Sequence, residues 1–161
     1  MPRALFSLIS SIVFALAALY AAPAHAKRVA LLEPQVKSGT VSSADLLKAK
    51  RDLLKARHKA GEITLQVYLR EAREIAERSA NLAQVQFQNG TLSRKAWMAA
   101  KLELLYVDRR LGKAGDEEIQ ALQLQWMELA RLDKSRGLLG EAELLREAVA
   151  FLTDPDEDLS E

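Results

Sequence analysis

His58 is the one histidine outside the first 26 residues of this 161-residue chain. An imidazole can serve as a general base or a metal ligand. Its neighbours Lys55, Arg57 and Lys59 would repel a bound cation and favour the neutral ring. A zinc site needs several nitrogen or sulfur ligands, and the chain has no cysteine and no second histidine nearby. His58 is therefore expected to pack or to sit at the surface. Glu71, Glu74 and Glu77 stand beside Arg70, Arg73 and Arg78 on a helical stretch. At that spacing they are expected to form a solvated face with weak ion pairs. Glycine-rich phosphate loops, nucleophile elbows and zinc spacings are absent from the sequence. No residue is assigned as catalytic, cofactor-binding or metal-ligating, and the expectation is a protein that is not an enzyme.

The densest charge lies between Lys48 and Lys59. Lys48, Lys50, Arg51, Lys55, Arg57 and Lys59 oppose a single acid there, Asp52. A basic amphipathic helix can lie on an anionic membrane, but such helices usually carry tryptophan or phenylalanine on the buried side. This seam is alanine-rich, so the outer face of a helical bundle is the favoured reading. A weak membrane-surface contact through Lys48–Lys59 remains the alternative. Trp97 and Trp126 fall in apolar seams, where core packing is expected. Formal net charge is +1 for the whole chain, and so even a balance argues against general nucleic-acid binding.

These residues must be carried by helices, because one turn is used twice. His58-Lys59-Ala60-Gly61-Glu62-Ile63-Thr64 leads to Tyr68-Leu69, and Phe87-Gln88-Asn89-Gly90-Thr91-Leu92-Ser93 leads to Trp97-Met98, 29 residues further on. Glycine can close a helix in the left-handed conformation. The threonine or serine three residues later can cap the next helix. The apolar residue just before that cap can pack on the new first turn, against Tyr68 or Trp97.

Residues 1–26 read as a secretory signal peptide. Arg3 gives a positive start, Ala4 to Ala22 is apolar and uncharged, and Ala24-His25-Ala26 offers small residues at the cleavage positions. The expected location is the periplasm or cell envelope, with no membrane-spanning segment after cleavage. About 135 residues remain, enough for one domain. Residues 27–42, with Pro34 and Gly39, are expected to be an irregular lead-in. Residues 43–152 form the expected helical domain, and 153–161 an acidic disordered tail.

Within 43–152 the spacing predicts five helices. The first, about Ala44 to Ala60, starts from a Ser42/Asp45 capping box and carries the seam Leu46, Ala49, Leu53, Ala56 and Ala60. The second, about Thr64 to Gln88, carries Leu65, Leu69, Ala72, Ala76, Ala80, Ala83 and Phe87. The third, about Ser93 to Leu111, shows Trp97, Ala100, Leu104, Val107 and Leu111 at heptad spacing, which suggests coiled-coil-like packing. The fourth begins at Asp116-Glu117-Glu118, uses Ile119, Leu122, Trp126 and Leu129, and ends by Gly137. The fifth, about Gly140 to Leu152, uses Ala142, Leu145, Val149 and Leu152. No run alternates as a strand would. The fold class is all-α: antiparallel long-helix hairpins or a coiled-coil-like bundle.

Asn81 to Val107 resembles the helical hairpin of TolC-type outer-membrane efflux proteins. Ala83, Phe87, Gly90, Ser93, Trp97-Met98 and Ala100 carry the likeness, which continues to Leu104-Leu105. Members of that family are roughly three times longer and contribute strands to a barrel, which this chain lacks the length and strands to do. The Gly-x-Ile-Thr and Gly-x-Leu-Ser units are also similar to the helical hairpin of SHOCT-type domains, which have a Gly-Ile-Ile-Thr turn followed by an aromatic. The first resemblance implies a periplasmic helical protein that meets efflux or envelope partners, or itself, through apolar seams. It predicts exposed seam residues such as Leu69 or Leu104. The alternative is a SHOCT-like or chaperone-like interaction module.

Overall fold

A computed structural model describes residues 21–138 and 140–153. All regular structure among them is helical. Helix α1 covers 21–37, followed by α2 (Ser43–Lys59), α3 (Leu65–Gln88), α4 (Arg94–Arg110), α5 (Asp116–Ser135) and α6 (Glu141–Leu152). The five helices expected between 43 and 152 are present, with starts within one residue of expectation. Residues 1–20, which hold most of the expected signal peptide, and 154–161, which hold the acidic tail, lie outside the described residues.

The lead-in expected to be irregular over 27–42 is instead helical as far as 37, continuous with 21–26. Pro34 was the reason to expect a break. It lies in the last turn of α1, where only a single hydrogen bond is forfeited, and its own carbonyl still accepts from Ser38 N–H at 3.0 Å. Gly39, at φ 73°, closes the helix rather than interrupting a strap.

The glycine closure occurs five times, and the glycine–apolar–hydroxyl turn also appears at Gly39. Gly39, Gly61, Gly90, Gly112 and Gly137 all have φ near +70°. Around Gly90, its own N–H donates to Phe87 O at 3.0 Å and Thr91 N–H donates to Gln86 O at 2.9 Å. The other four turns make the same pair of bonds, for example Glu62 to Arg57 and Lys113 to Asp108. This is the Schellman closure, which satisfies carbonyls that a helix end leaves without partners. Three residues after each glycine stands the cap of the next helix. Ser42 Oγ accepts from Asp45 N–H and Ser93 Oγ from Ala96 N–H, both at 3.2 Å. Gly115 and Gly140 fill that place with no side-chain cap. Helices α2 and α4 are each 17 residues long. They share Gly-Thr-apolar-Ser before the start and an Ala-Lys pair followed by Leu-Leu, as Ala49-Lys50 with Leu53-Leu54 and Ala100-Lys101 with Leu104-Leu105.

The chain divides into two compact units, Met1–Ile75 and Ala76–Glu161, the division falling inside α3. In the first unit α1 and α2 run antiparallel, with Arg28 3.7 Å from Asp52 and Glu33 2.8 Å from Lys50. Its buried positions are mostly small, Ala22, Val29, Ala49, Ala56 and Ala72, beside Leu54, Leu69 and Tyr68. Small residues let helix backbones approach closely, so less apolar area is buried per helix.

In the second unit α4, α5 and α6 enclose one core. Met98, Leu102 and Tyr106 of α4 meet Ile119, Leu122, Trp126 and Ala130 of α5 and Ala148 and Phe151 of α6. Trp126 and Phe151 stack with centroids 4.4 Å apart. Two expected seams are corrected here. On α4 the buried side is Met98, Leu102 and Tyr106 with Val107, so of the expected seam Trp97, Ala100, Leu104, Val107 and Leu111 only Val107 is fully buried. Trp97 is half-buried because its ring is turned to Phe87 across the Gly90 turn. On α6 the inward side is Leu144, Ala148 and Phe151 rather than Ala142, Leu145, Val149 and Leu152. Phe151 wins because an aromatic in that register can stack on Trp126.

Candidate functional site

His58 lies in the last turn of α2, and its Nδ1 lies 3.2 Å from Ile63 O beyond the turn. Its ring stacks on Tyr68 at 5.1 Å. The matching pair in the next turn is Phe87 and Trp97, 5.2 Å apart with planes at 10°. The imidazole thus does the work of an aromatic clamp between the end of one helix and the start of the next. Glu71 and Glu74 are exposed on α3. Among the described residues, no group of three or more His, Cys, Asp or Glu could hold a metal ion.

The basic stretch of α2 is partly neutralised by its own unit. Lys50 pairs with Glu33, and Arg57 with Glu62 at 3.4 Å. Lys50's hydrogen bond and positive charge hold the Glu33 carboxyl below its ordinary range. Lys48 and Lys59 are exposed. Their side of the helix also carries Arg51 and Lys55, since 48, 51, 55 and 59 follow helical spacing.

One polar cluster was not foreseen. Lys95, in the first turn of α4, reaches Asp133 on α5 at 2.9 Å and Glu147 on α6 at 3.0 Å. Burial pulls its ammonium toward lower pKa, but hydrogen bonds to the two carboxylates outweigh this and leave it raised. A second unforeseen link joins the opposite ends of the same helices. Gln123 Nε2 donates to Tyr106 Oη at 3.0 Å, and Tyr106 Oη donates to Leu152 O at 3.0 Å. That carbonyl is one of those the end of α6 leaves without an intrahelical partner. Both clusters join residues far apart in sequence and have no local signature. They hold α4, α5 and α6 together.

The feature with most to offer a partner is apolar. On α6, Leu145, Val149 and Leu152 are 62%, 65% and 42% exposed. They follow the same four-then-three spacing as the inward Leu144, Ala148 and Phe151, one residue later in each case. The doubled pairs Leu144-Leu145, Ala148-Val149 and Phe151-Leu152 make α6 apolar over more than half its circumference. One such face is enough for a core. The seam expected from the sequence is the exposed one; both share one spacing, and no local feature says which faces inward. The side chains expected to be exposed behave differently: Leu69 is buried at 8% and Leu104 is half-buried. No described helix is long and apolar enough to cross a membrane.

Among known proteins, no family model, no curated protein and no solved structure matches this chain.

Proposed function

We propose that this chain is an exported, non-enzymatic helical protein of the cell envelope that works by helix–helix contact. The observation that carries the reading is the second apolar face of α6, exposed at Leu145, Val149 and Leu152 while the first face is packed. A contiguous apolar stripe held in water on an ordered helix is the usual mark of an interaction site. The signal-like start at 1–26 supplies the expectation of export.

Of the two resemblances, the SHOCT-like hairpin now has the better support. Its Gly-x-apolar-Ser/Thr turn stands at Gly39, Gly61 and Gly90, the helices run from 12 to 24 residues, and aromatic clamps bracket two of the turns. The TolC-type reading keeps the hairpin around Gly90, while the α4 core of Met98, Leu102 and Tyr106 favours short packed helices over a long coiled coil. Efflux partners are accordingly one case of the envelope partners proposed.

The test is a photo-crosslinking residue at position 149, introduced into the full chain in cells, with the N-terminus of the recovered protein read by mass spectrometry. The proposal expects a defined adduct, either with an envelope protein or with a second copy, and an N-terminus at Lys27. No adduct at 149, or a chain retained in the cytoplasm with residues 1–26 in place, would refute it.

A further inference from the structure

We propose that the exposed face of α6 docks on the basic face of α2 of a second copy, so that the protein associates head to tail. This rests on the interaction reading above and names its partner. Residues 138–161 hold eight acids and the single base Arg146, whereas 27–59 hold nine bases and three acids. The chain is close to neutral only because these two segments offset each other. The apolar stripe of α6 begins beside Glu141, which is exposed and lies 3.6 Å from Lys134, and is followed in sequence by the five acids of 154–161. On α2, Lys48, Arg51, Lys55 and Lys59 lie along one side. The eleven-residue steps Lys48–Lys59 and Glu141–Leu152 each rise about 16 Å, so the two surfaces match in length.

The fit is chemical as well as electrostatic. Lysine and arginine carry long aliphatic stems that can cover leucine and valine while the charged ends reach nearby carboxylates. The same logic removes the other occupants. A second α6 would bring together two segments that each hold eight acids and one base. An anionic membrane would repel the same face. The tail 154–161 has one leucine and five acids, and so cannot supply an apolar seam. Because the two surfaces differ, the contact is heterologous. It extends from copy to copy unless a ring closes.

Sedimentation velocity of the purified protein over a rising concentration series tests this, with circular dichroism to verify folding of each variant. Association should grow with concentration and weaken about tenfold or more between low and high salt, as screening of opposed charges requires. Val149→Glu should abolish it without loss of helix, since the side chain is mostly exposed. The double variants Glu141→Lys/Glu143→Lys and Lys48→Glu/Lys59→Glu should each be monomeric alone. Mixed in equal amounts they should associate again, because every contact then pairs opposite charges. A wild-type chain that stays monomeric throughout overturns the inference. So does self-association of the Glu141→Lys/Glu143→Lys variant at wild-type strength or above, which would point to α6 meeting α6. A monomer whose position 149 still crosslinks to one envelope protein would sink this inference alone. A monomer with no adduct would sink the proposed function too.

Discussion

Phe87 and Trp97 stack across the Gly90 turn with ring centroids 5.2 Å apart, and His58 takes the place of Phe87 in the preceding turn, against Tyr68. In each case the first ring is three residues before the glycine and the second is seven after it. Such a pair fixes the angle at which the chain leaves one helix and enters the next. It also accounts for a histidine that would otherwise invite a catalytic reading.

If His58 is a clamp, an aromatic should replace it. His58→Phe keeps the ring contact with Tyr68 and gives up only the bond to Ile63 O, so stability should change by less than about 1 kcal/mol. His58→Ala loses both and should destabilise by about 1–2 kcal/mol. Urea unfolding of the two variants decides the matter. Equal losses would mean that the imidazole nitrogen, not the ring, is what counts.

The glycines should divide by role. Gly90 has φ 71° with open space where a Cβ would project, so any penalty for a side chain is backbone strain alone. Gly90→Val should lower stability by about 1–2 kcal/mol. Gly140 caps α6 at φ −75° with no side-chain bond. Gly140→Ser should therefore raise stability by a few tenths of a kcal/mol. Thermal midpoints moving in opposite directions would bear this out. A neutral Gly90→Val would remove the helix-closing role assigned to that turn.

How much of this was legible in the sequence depends on whether the information is local. Helix ends were, because glycine, apolar clamp and hydroxyl cap sit within four residues of one another. Gly39 shows the limit: Gly39-Thr40-Val41-Ser42 has the same form as Gly90-Thr91-Leu92-Ser93, but Pro34 masked the helix before it. Faces were less legible. On α5 a single seam exists, and Ile119, Leu122 and Trp126 are buried as expected. On α6 two seams share one spacing, and only Trp126, on another helix, chooses between them. The Lys95 cluster was invisible, since Asp133 and Glu147 look like ordinary surface acids until three helices bring them together.

Tyr106 should matter through its hydroxyl as well as its ring. Tyr106→Phe would leave Leu152 O and the Gln123 amide in a half-buried site without the group that joins them. Loss of such bonds costs about 1–2 kcal/mol. Because Leu152 O lies at the end of α6, the damage should concentrate there. Amide exchange in the last turn of α6 should quicken more than exchange in α5. Uniform quickening would argue that Tyr106 contributes only to the shared core.

Lys95 makes the sharpest pH prediction. Its pKa is raised above the ordinary 10.5, so the folded state holds the proton more tightly than the unfolded chain does. Its contribution is then fully present below pH 10.5 and is lost as pH rises through the higher folded value. Near neutrality Lys95→Met should destabilise by about 1–3 kcal/mol, because Asp133 and Glu147 lose the cation that offsets them. The wild type begins to lose that advantage above pH 10.5, and the two proteins should converge once pH passes the higher folded value. Denaturant unfolding at pH 8 and at a series of pH values above 10.5 measures both differences. A gap near zero at every pH would mean that the aliphatic stem of Lys95, rather than its charge, joins the three helices. Lys95→Met keeps a stem of similar length, so the size of the gap at pH 8 already separates the two accounts.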